Sequence, residues 1–317
     1  MDFLENFKNF SNETINTITK DSIPKNTGLN TTFFGSINRK YNYHGKGEYN
    51  YRVNKGMDLN GFKPNEQITN LDLNDINLNN IKYELVKRPT ITGEELIECY
   101  TMFYVQELNK NKFFNMIELG VGFGSLIVDS HNYSKLLNKK FYGIGIECCK
   151  FHYDFFCRNI KDNNNNNIDT TIIKPIHGGI YHDNKKITFN QVSDLFNSRT
   201  CWGQSIQSKT KKTTKHTLNL YSLNDMLDEK NYWNYIHMDI QGTENELIPN
   251  CIKKISECVK FIYIGTHGRD IENKIIEVLK NNNFNIIFFY KGDNINKTLL
   301  GDLSFGDGVI FAENKNI

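Results

Sequence analysis

The sequence has no stretch that approaches ~20 consecutive apolar residues, the length that a membrane-spanning helix needs. Its first ten residues, MDFLENFKNF, carry acids where a secretory signal carries bases, and they contain no apolar segment. The 7 cysteines never form C-x-x-C, which excludes a zinc ribbon, and their odd number disfavours a disulfide framework. These absences predict a cytoplasmic protein with no membrane partner.

A strong charge of one sign is also lacking. Lysine and arginine total 38, aspartate and glutamate total 36, and the formal net charge is +2. Because a protein that coats nucleic acid needs a strongly basic face, nucleic acid is not the expected partner. A hydrophobic content of 38% is low, but the 22 phenylalanines and 16 tyrosines each bury a large area. The chain can therefore form a core.

The sequence pattern changes at about residue 90. Residues 1–90 lack long helical periodicity, but over 41–53 tyrosines alternate with polar residues on both sides of a Gly-Lys-Gly turn, which predicts a β-hairpin. This hairpin could be a lid or substrate platform over an active site, or an aromatic cluster that only covers the main domain. We therefore expect an N-terminal extension over 1–90 and a main domain over 91–317.

The main domain alternates apolar strands with helical segments. Strands are predicted over 113–119, 141–147, 171–176, 235–240, 261–267, 284–290 and 307–313. The last two are expected to be joined by a turn. This order predicts a Rossmann-like α/β fold with an open, mostly parallel, seven-stranded sheet.

The segment MIELGVGFGSLI contains the strongest functional signal. A strand ends at Glu118, Gly120, Gly122 and Gly124 follow in alternation, and a helix begins. Glycines allow a tight turn and a close approach to a ligand, while the helix N-terminus offers free N–H groups. Glu147 ends the next strand, where an acid binds ribose hydroxyls in doubly wound sheets. These residues predict a nucleotide-type cofactor site.

The glycine pattern distinguishes two kinds of cofactor. The dinucleotide fingerprint G-x-G-x-x-G would need glycine at Ser125, so a nicotinamide-dependent oxidoreductase is the alternative rather than the leading interpretation. The observed E-x-G-x-G-x-G resembles motif I of class I S-adenosylmethionine-dependent methyltransferases. In that family the loop surrounds the methionine part of the cofactor, and the leading acid lies near its amino group. A third interpretation is a methyltransferase-like fold that serves only as a binding module.

The downstream segments extend this resemblance. YIHMDIQGTENELI resembles the H-x-D-x-[EQ]-G-x-E segment of FkbM-type methyltransferases, which largely methylate hydroxyl groups. The likeness covers roughly residues 92–317 and departs from the family at Gly268, where serine is frequent, and in the basic insertion 209–216. It implies a methyltransferase-type sheet, S-adenosylmethionine as cofactor, and a hydroxyl on a sugar, glycan or small molecule as acceptor.

Strand ends at the carboxyl edge of a parallel sheet face the ligand crevice, which makes Asp239 and His267 the predicted catalytic residues. His267 has the pKa range of a general base near neutral pH. Asp239 could orient the acceptor, take its proton or stabilise the positive charge of the donor. With Glu244, an acid that could instead complement the dipole of its helix, they could also hold a divalent metal, and the sequence leaves that question open. The oligomeric state is open too.

Overall fold

The computed structural model describes residues 93–122, 124–163, 172–192, 213–298 and 301–317. The predicted N-terminal extension and its hairpin lie outside the described residues, as does the first half of the basic insertion 209–216. Within the described part, no helix combines the length and the apolar character needed to cross a membrane.

The centre of the fold is a seven-stranded sheet. Its strands are β1 Phe113–Leu119, β2 Lys140–Glu147, β3 Ile172–His177, β7 Trp233–Met238, β8 Val259–Thr266, β9 Phe284–Tyr290 and β12 Gly308–Asn314. They lie in the order β3-β2-β1-β7-β8-β12-β9. Strands β3, β2, β1, β7 and β8 pair in parallel, whereas β12 is antiparallel to both of its neighbours. The prediction of a mostly parallel, Rossmann-like sheet is confirmed.

Six helices are present in the described residues and cover both faces of this sheet. They are α1 Gly93–Leu108, α2 Ser125–Leu136, α3 Lys150–Asn163, α4 Leu223–Leu227, α5 Glu244–Cys258 and α6 Arg269–Asn281. Side chains from α1, α2 and α3 pack into one apolar cluster, and those from α4, α5 and α6 pack into another. The sheet is therefore buried on both faces, as parallel sheets are.

The strand sequences explain how the two faces differ. Successive side chains of a strand point to opposite faces, and in β8 the aromatic Phe261 and Tyr263 alternate with Ile262 and Ile264. The aromatic residues join the cluster of α1, α2 and α3, while the isoleucines join the cluster of α4, α5 and α6. The high aromatic content of the sequence thus builds one of the two core layers.

Two smaller sheets flank the large one. One joins β4 Gly179–Tyr181, β5 Lys185–Val192 and β6 Thr213–Ser222 in the order β4-β6-β5. The other is a hairpin of β10 Asn294–Thr298 and β11 Gly301–Phe305, inserted between β9 and β12. The expectation that a turn joins the last two strands is therefore wrong, because a hairpin occupies that connection.

Candidate functional site

The glycine loop between β1 and α2 crosses the carboxyl edge of the sheet in a conformation that glycine favours. Gly120, Gly122 and Gly124 have φ angles of 80°, 54° and 74°. A Cβ on Gly120 would lie 1.9 Å from the carbonyl oxygen of Asp239, so this glycine permits direct contact with the end of β7. Asp239 in turn donates its backbone N–H to the carbonyl of Leu119 at 2.9 Å. The loop and the chain after β7 are therefore held together through their backbones.

Gly124 has a packing role. A Cβ there would lie 2.0 Å from Cδ2 of Phe156, and a Cβ on Gly145 in β2 would lie 2.5 Å from Cζ of the same ring. Phe156 is fully buried and belongs to α3. Its ring thus occupies the space that two absent side chains would fill, and it fixes the loop against β2.

Glu118 is the second-to-last residue of β1 and holds the start of α2. Its Oε2 accepts the backbone N–H of Ile127 at 2.9 Å, and the residue is buried. Burial raises the pKa of Glu118 to about 8, and Glu98 adds to the increase while His237 opposes it. This acid therefore stabilises the helix N-terminus that faces the loop.

Glu147 connects the end of β2 to the glycine loop. Its Oε2 accepts the N–H of Gly122 at 2.8 Å, and its Oε1 accepts the N–H of Cys149 at 2.8 Å. Burial raises the pKa of Glu147 to about 7, although both hydrogen bonds act to lower it. Oε1 also accepts the thiol of Cys148 at 3.6 Å, and Oε2 can accept a second hydrogen bond. Glu147 can therefore hold the loop and bind a ligand hydroxyl at the same time.

Asp239, Glu244 and His267 form an acidic cluster next to the loop. Nε2 of His267 lies 3.4 Å from Oδ1 of Asp239, and Nδ1 lies 3.3 Å from Oε1 of Glu244. Glu244 is fully buried at the first position of α5, and its carboxylate accepts the N–H groups of Ile240 at 2.8 Å and Gly242 at 2.7 Å. Glu244 is thus both a first-turn acid and a member of this cluster.

His267 is surrounded by carboxylates, including one that the sequence did not single out. Oδ2 of Asp307, just before β12, lies 3.6 Å from Nε2 of His267. Burial alone would lower the pKa of His267, but Asp307, Glu244 and Asp239 outweigh it and raise the pKa to about 10. In this arrangement the imidazole is protonated at neutral pH, unlike the unperturbed histidine expected from the sequence.

His237 lies under the site, beside the end of β1. It pairs across the sheet with Glu118, its Nε2 forms an ion pair with Glu98 of α1, and its ring stacks on Tyr263 at 5.3 Å between centroids. Burial would lower the pKa of His237, but Glu98 and Glu118 outweigh it and raise the pKa. The histidine thereby links α1 to the buried acid at the start of the loop.

The structure places the predicted residues of the site at the carboxyl ends of β1, β2, β7 and β8. The residues predicted to bind the cofactor are Glu118, Gly120, Gly122, Gly124 and Glu147. The predicted catalytic residues are Asp239 and His267. Sequence reasoning missed Phe156, Asp307 and the bridge from Glu98 to His237. Asp307 lies between two glycines at the first position of a predicted strand, a signal that could have indicated it.

Comparisons with known proteins give limited matches. No family model matches the chain. A protein of Jannaschia sp. (strain CCS1), named "Putative methyltransferase", is 37% identical over 73 residues, which is 23% of this chain and 26% of that protein. The match therefore spans about a quarter of that relative.

Two solved structures show weaker likeness. The methyltransferase FkbM from Methylobacillus flagellatus KT has 13% identity and a TM-score of 0.41, covering 69% of this chain and 54% of its own. The O-methyltransferase from Bacillus cereus, in complex with S-adenosylhomocysteine, has 12% identity and a TM-score of 0.38, covering 71% and 83%. Because both scores are below 0.5, neither carries an argument about function.

Proposed function

We propose that the protein is an S-adenosylmethionine-dependent methyltransferase that methylates a hydroxyl group. The supporting observation is the convergence of three strand ends on one glycine loop. Gly122 donates its N–H to Glu147 after β2, and Gly120 contacts the backbone of Asp239 after β7. A cofactor bound at these strand ends would contact the loop, Glu147, which suits ribose hydroxyls, and Asp239, which suits a positive charge.

The proposed cofactor site comprises Glu118, Gly120, Gly122, Gly124 and Glu147. Glu147 would accept one ribose hydroxyl on Oε2 beside Gly122, and the second on Oε1 in place of the weak thiol donor Cys148. Gly120 allows the loop to lie against the chain after β7, while Gly124 and Glu118 keep the loop and the N-terminus of α2 in position. The cofactor group thus contains both contacting and supporting residues.

Asp239 and His267 are the proposed catalytic residues. They follow β7 and β8 on the side of the loop where the acceptor would meet the methyl group of the cofactor. Negative charge at Asp239 would stabilise the sulfonium and favour loss of the hydroxyl proton. The acceptor that we propose is a sugar, a glycan or another small hydroxylated molecule, following the motif H-x-D-x-Q-G-x-E at His237–Glu244.

Calorimetry with S-adenosylhomocysteine tests the proposal. Glu147→Ala should weaken binding at least tenfold, because charge-assisted hydrogen bonds contribute about 1.5–3 kcal/mol each. Glu229→Ala is the matched control, since Glu229 bonds Tyr142 and Lys174 at the opposite end of β2 and β3 and should leave the affinity unchanged.

The same titration with NAD distinguishes the proposed methyltransferase from a nicotinamide-dependent oxidoreductase. Binding of NAD but not of S-adenosylhomocysteine would favour an oxidoreductase. No binding of S-adenosylhomocysteine at millimolar concentration would overturn the proposal. Cofactor binding without methylation of any hydroxylated acceptor, together with tolerance of Asp239→Asn, would favour a binding module.

A further inference from the structure

We propose that Asp239, Glu244 and His267 form a binding site for one divalent cation. One ligand atom from each residue can be chosen so that all three lie within 4.8 Å of one another. Metal–ligand bonds of about 2.0–2.2 Å place neighbouring ligands about 3 Å apart and opposite ligands about 4.4 Å apart. Small side-chain rotations would therefore bring the three atoms to one ion.

The ring nitrogens of His267 provide an independent observation. Both nitrogens are buried, and neither makes a hydrogen bond of acceptable geometry with the described residues, although carboxylate oxygens lie only 3.3–3.6 Å away. Buried polar atoms nearly always have a partner. An ion bound to one of these nitrogens would supply it, taking the place of the proton that the surrounding carboxylates otherwise favour on the ring.

The space beside the cluster is open. A Cβ built on Gly242 or on Gly268 meets no atom within 4 Å; Gly242 donates its N–H to Glu244, and Gly268 follows His267 in the chain. Gly265 lies on the other side, where its Cβ would be 3.6 Å from the carboxyl carbon of Asp239. The cluster is thus packed on the side of β8 and has room for additional ligands on the side of the loops.

The formal charges of the cluster also favour a divalent ion. Asp239, Glu244 and the neighbouring Asp307 bring three negative charges around one imidazole. The backbone N–H groups of Ile240 and Gly242 compensate Glu244 only in part. Two carboxylates and one imidazole form a ligand set that suits first-row ions such as Mn²⁺.

The role that we assign to the ion rests on the proposed function. A cation next to the glycine loop would bind the acceptor hydroxyl and lower its pKa, so that the proton leaves to solvent. The oxygen lone pair then forms the bond to the methyl carbon. The carbon–sulfur bond breaks, its electron pair stays on sulfur, and the cationic sulfonium becomes a neutral thioether.

Mn²⁺ binding to the full chain after chelator treatment tests the site, with electron paramagnetic resonance or calorimetry as the readout. We expect one Mn²⁺ per chain, and at least tenfold weaker binding in Asp239→Asn and in His267→Ala. Glu246→Gln is the matched control, because Glu246 lies in the same first turn of α5 but bonds Tyr181 outside the cluster. Circular dichroism of each variant establishes that it is folded.

Absence of Mn²⁺ binding at millimolar concentration would overturn the inference. Equal Mn²⁺ affinity in the wild type and in folded Asp239→Asn and His267→Ala would overturn it as well. Calorimetry with S-adenosylhomocysteine on the same samples separates the two proposals. Cofactor binding without Mn²⁺ binding rejects the cation site alone, and Mn²⁺ binding without cofactor binding rejects the proposed function alone.

Discussion

Replacement of Gly124 by alanine tests whether this glycine is a packing residue. The new methyl group would lie 2.0 Å from Cδ2 and 2.6 Å from Cε2 of Phe156, a ring that is fully buried. The φ angle of 74° also falls in the left-handed region, which disfavours a residue with a Cβ. Gly124→Ala therefore combines backbone strain with a steric clash.

The two contributions have different magnitudes and can be separated. Left-handed backbone costs alanine about 1–2 kcal/mol, and overpacking a buried site costs about 1–3 kcal/mol more. The expected loss of unfolding free energy in Gly124→Ala is thus about 2–5 kcal/mol. Gly242→Ala is the matched control, because Gly242 has a φ angle of 98° but no atom within 4 Å of its missing Cβ. The control should lose only about 1–2 kcal/mol.

Urea unfolding of the two variants, together with the double variant Gly124→Ala/Phe156→Leu, measures these terms. The entropy that alanine removes from the unfolded chain is similar at both positions and cancels in the comparison. We expect the double variant to lose less than the sum of its single changes, because the smaller side chain leaves room for the methyl group. Equal losses in Gly124→Ala and Gly242→Ala, with additive behaviour in the double variant, would refute the packing role.

Three further predictions concern other parts of the site. The folded pKa of Glu147 is about 7 and its usual value is 4.5, so the free energy of unfolding should fall as the pH rises from about 4.5 to about 7. The affinity for S-adenosylhomocysteine should instead rise through pH 7. Glu147→Gln should flatten the first profile in urea unfolding and the second in calorimetry. Glu98→Gln should lower the pKa of His237, because burial lowers this pKa and the negative charge of Glu98 no longer raises it; a nuclear magnetic resonance titration measures the change. Asn314→Ala should lower the free energy of unfolding by about 1–3 kcal/mol for each of the two backbone carbonyls that it leaves without a donor.

The sequence predicted the strands of the large sheet well because their patterns are local. The strands predicted over 113–119 and 284–290 match the structure to the residue. The strand predicted over 235–240 ends two residues earlier, at Met238. Alternation of residue types continues through Ile240, but the chain already turns towards Gln241 and Gly242, which have positive φ angles.

The features that the sequence did not reveal depend on contacts between distant segments. Phe156 looks like any apolar residue of a helix, and only the packing of α3 across the loop shows why Gly124 and Gly145 lack side chains. The high pKa of His267 likewise requires Asp307, which lies just before β12 and 40 residues later in the sequence. The sequence therefore assigns the strand ends to one edge of the sheet, but it does not identify the partners of each side chain there.

The position of β12 between β8 and β9 has a consequence for folding. Both neighbours precede it in the chain, so a folding intermediate that lacks β12 would expose two open strand edges inside the sheet. Open edges pair readily with other chains, and long-range pairing is slow, so such an intermediate would be prone to aggregate. Asp307 also arrives with this strand, whereas the glycine loop and Glu147 depend on earlier segments. We therefore expect refolding yield to fall as protein concentration rises, and the surroundings of His267 to be completed only when the last strand has inserted.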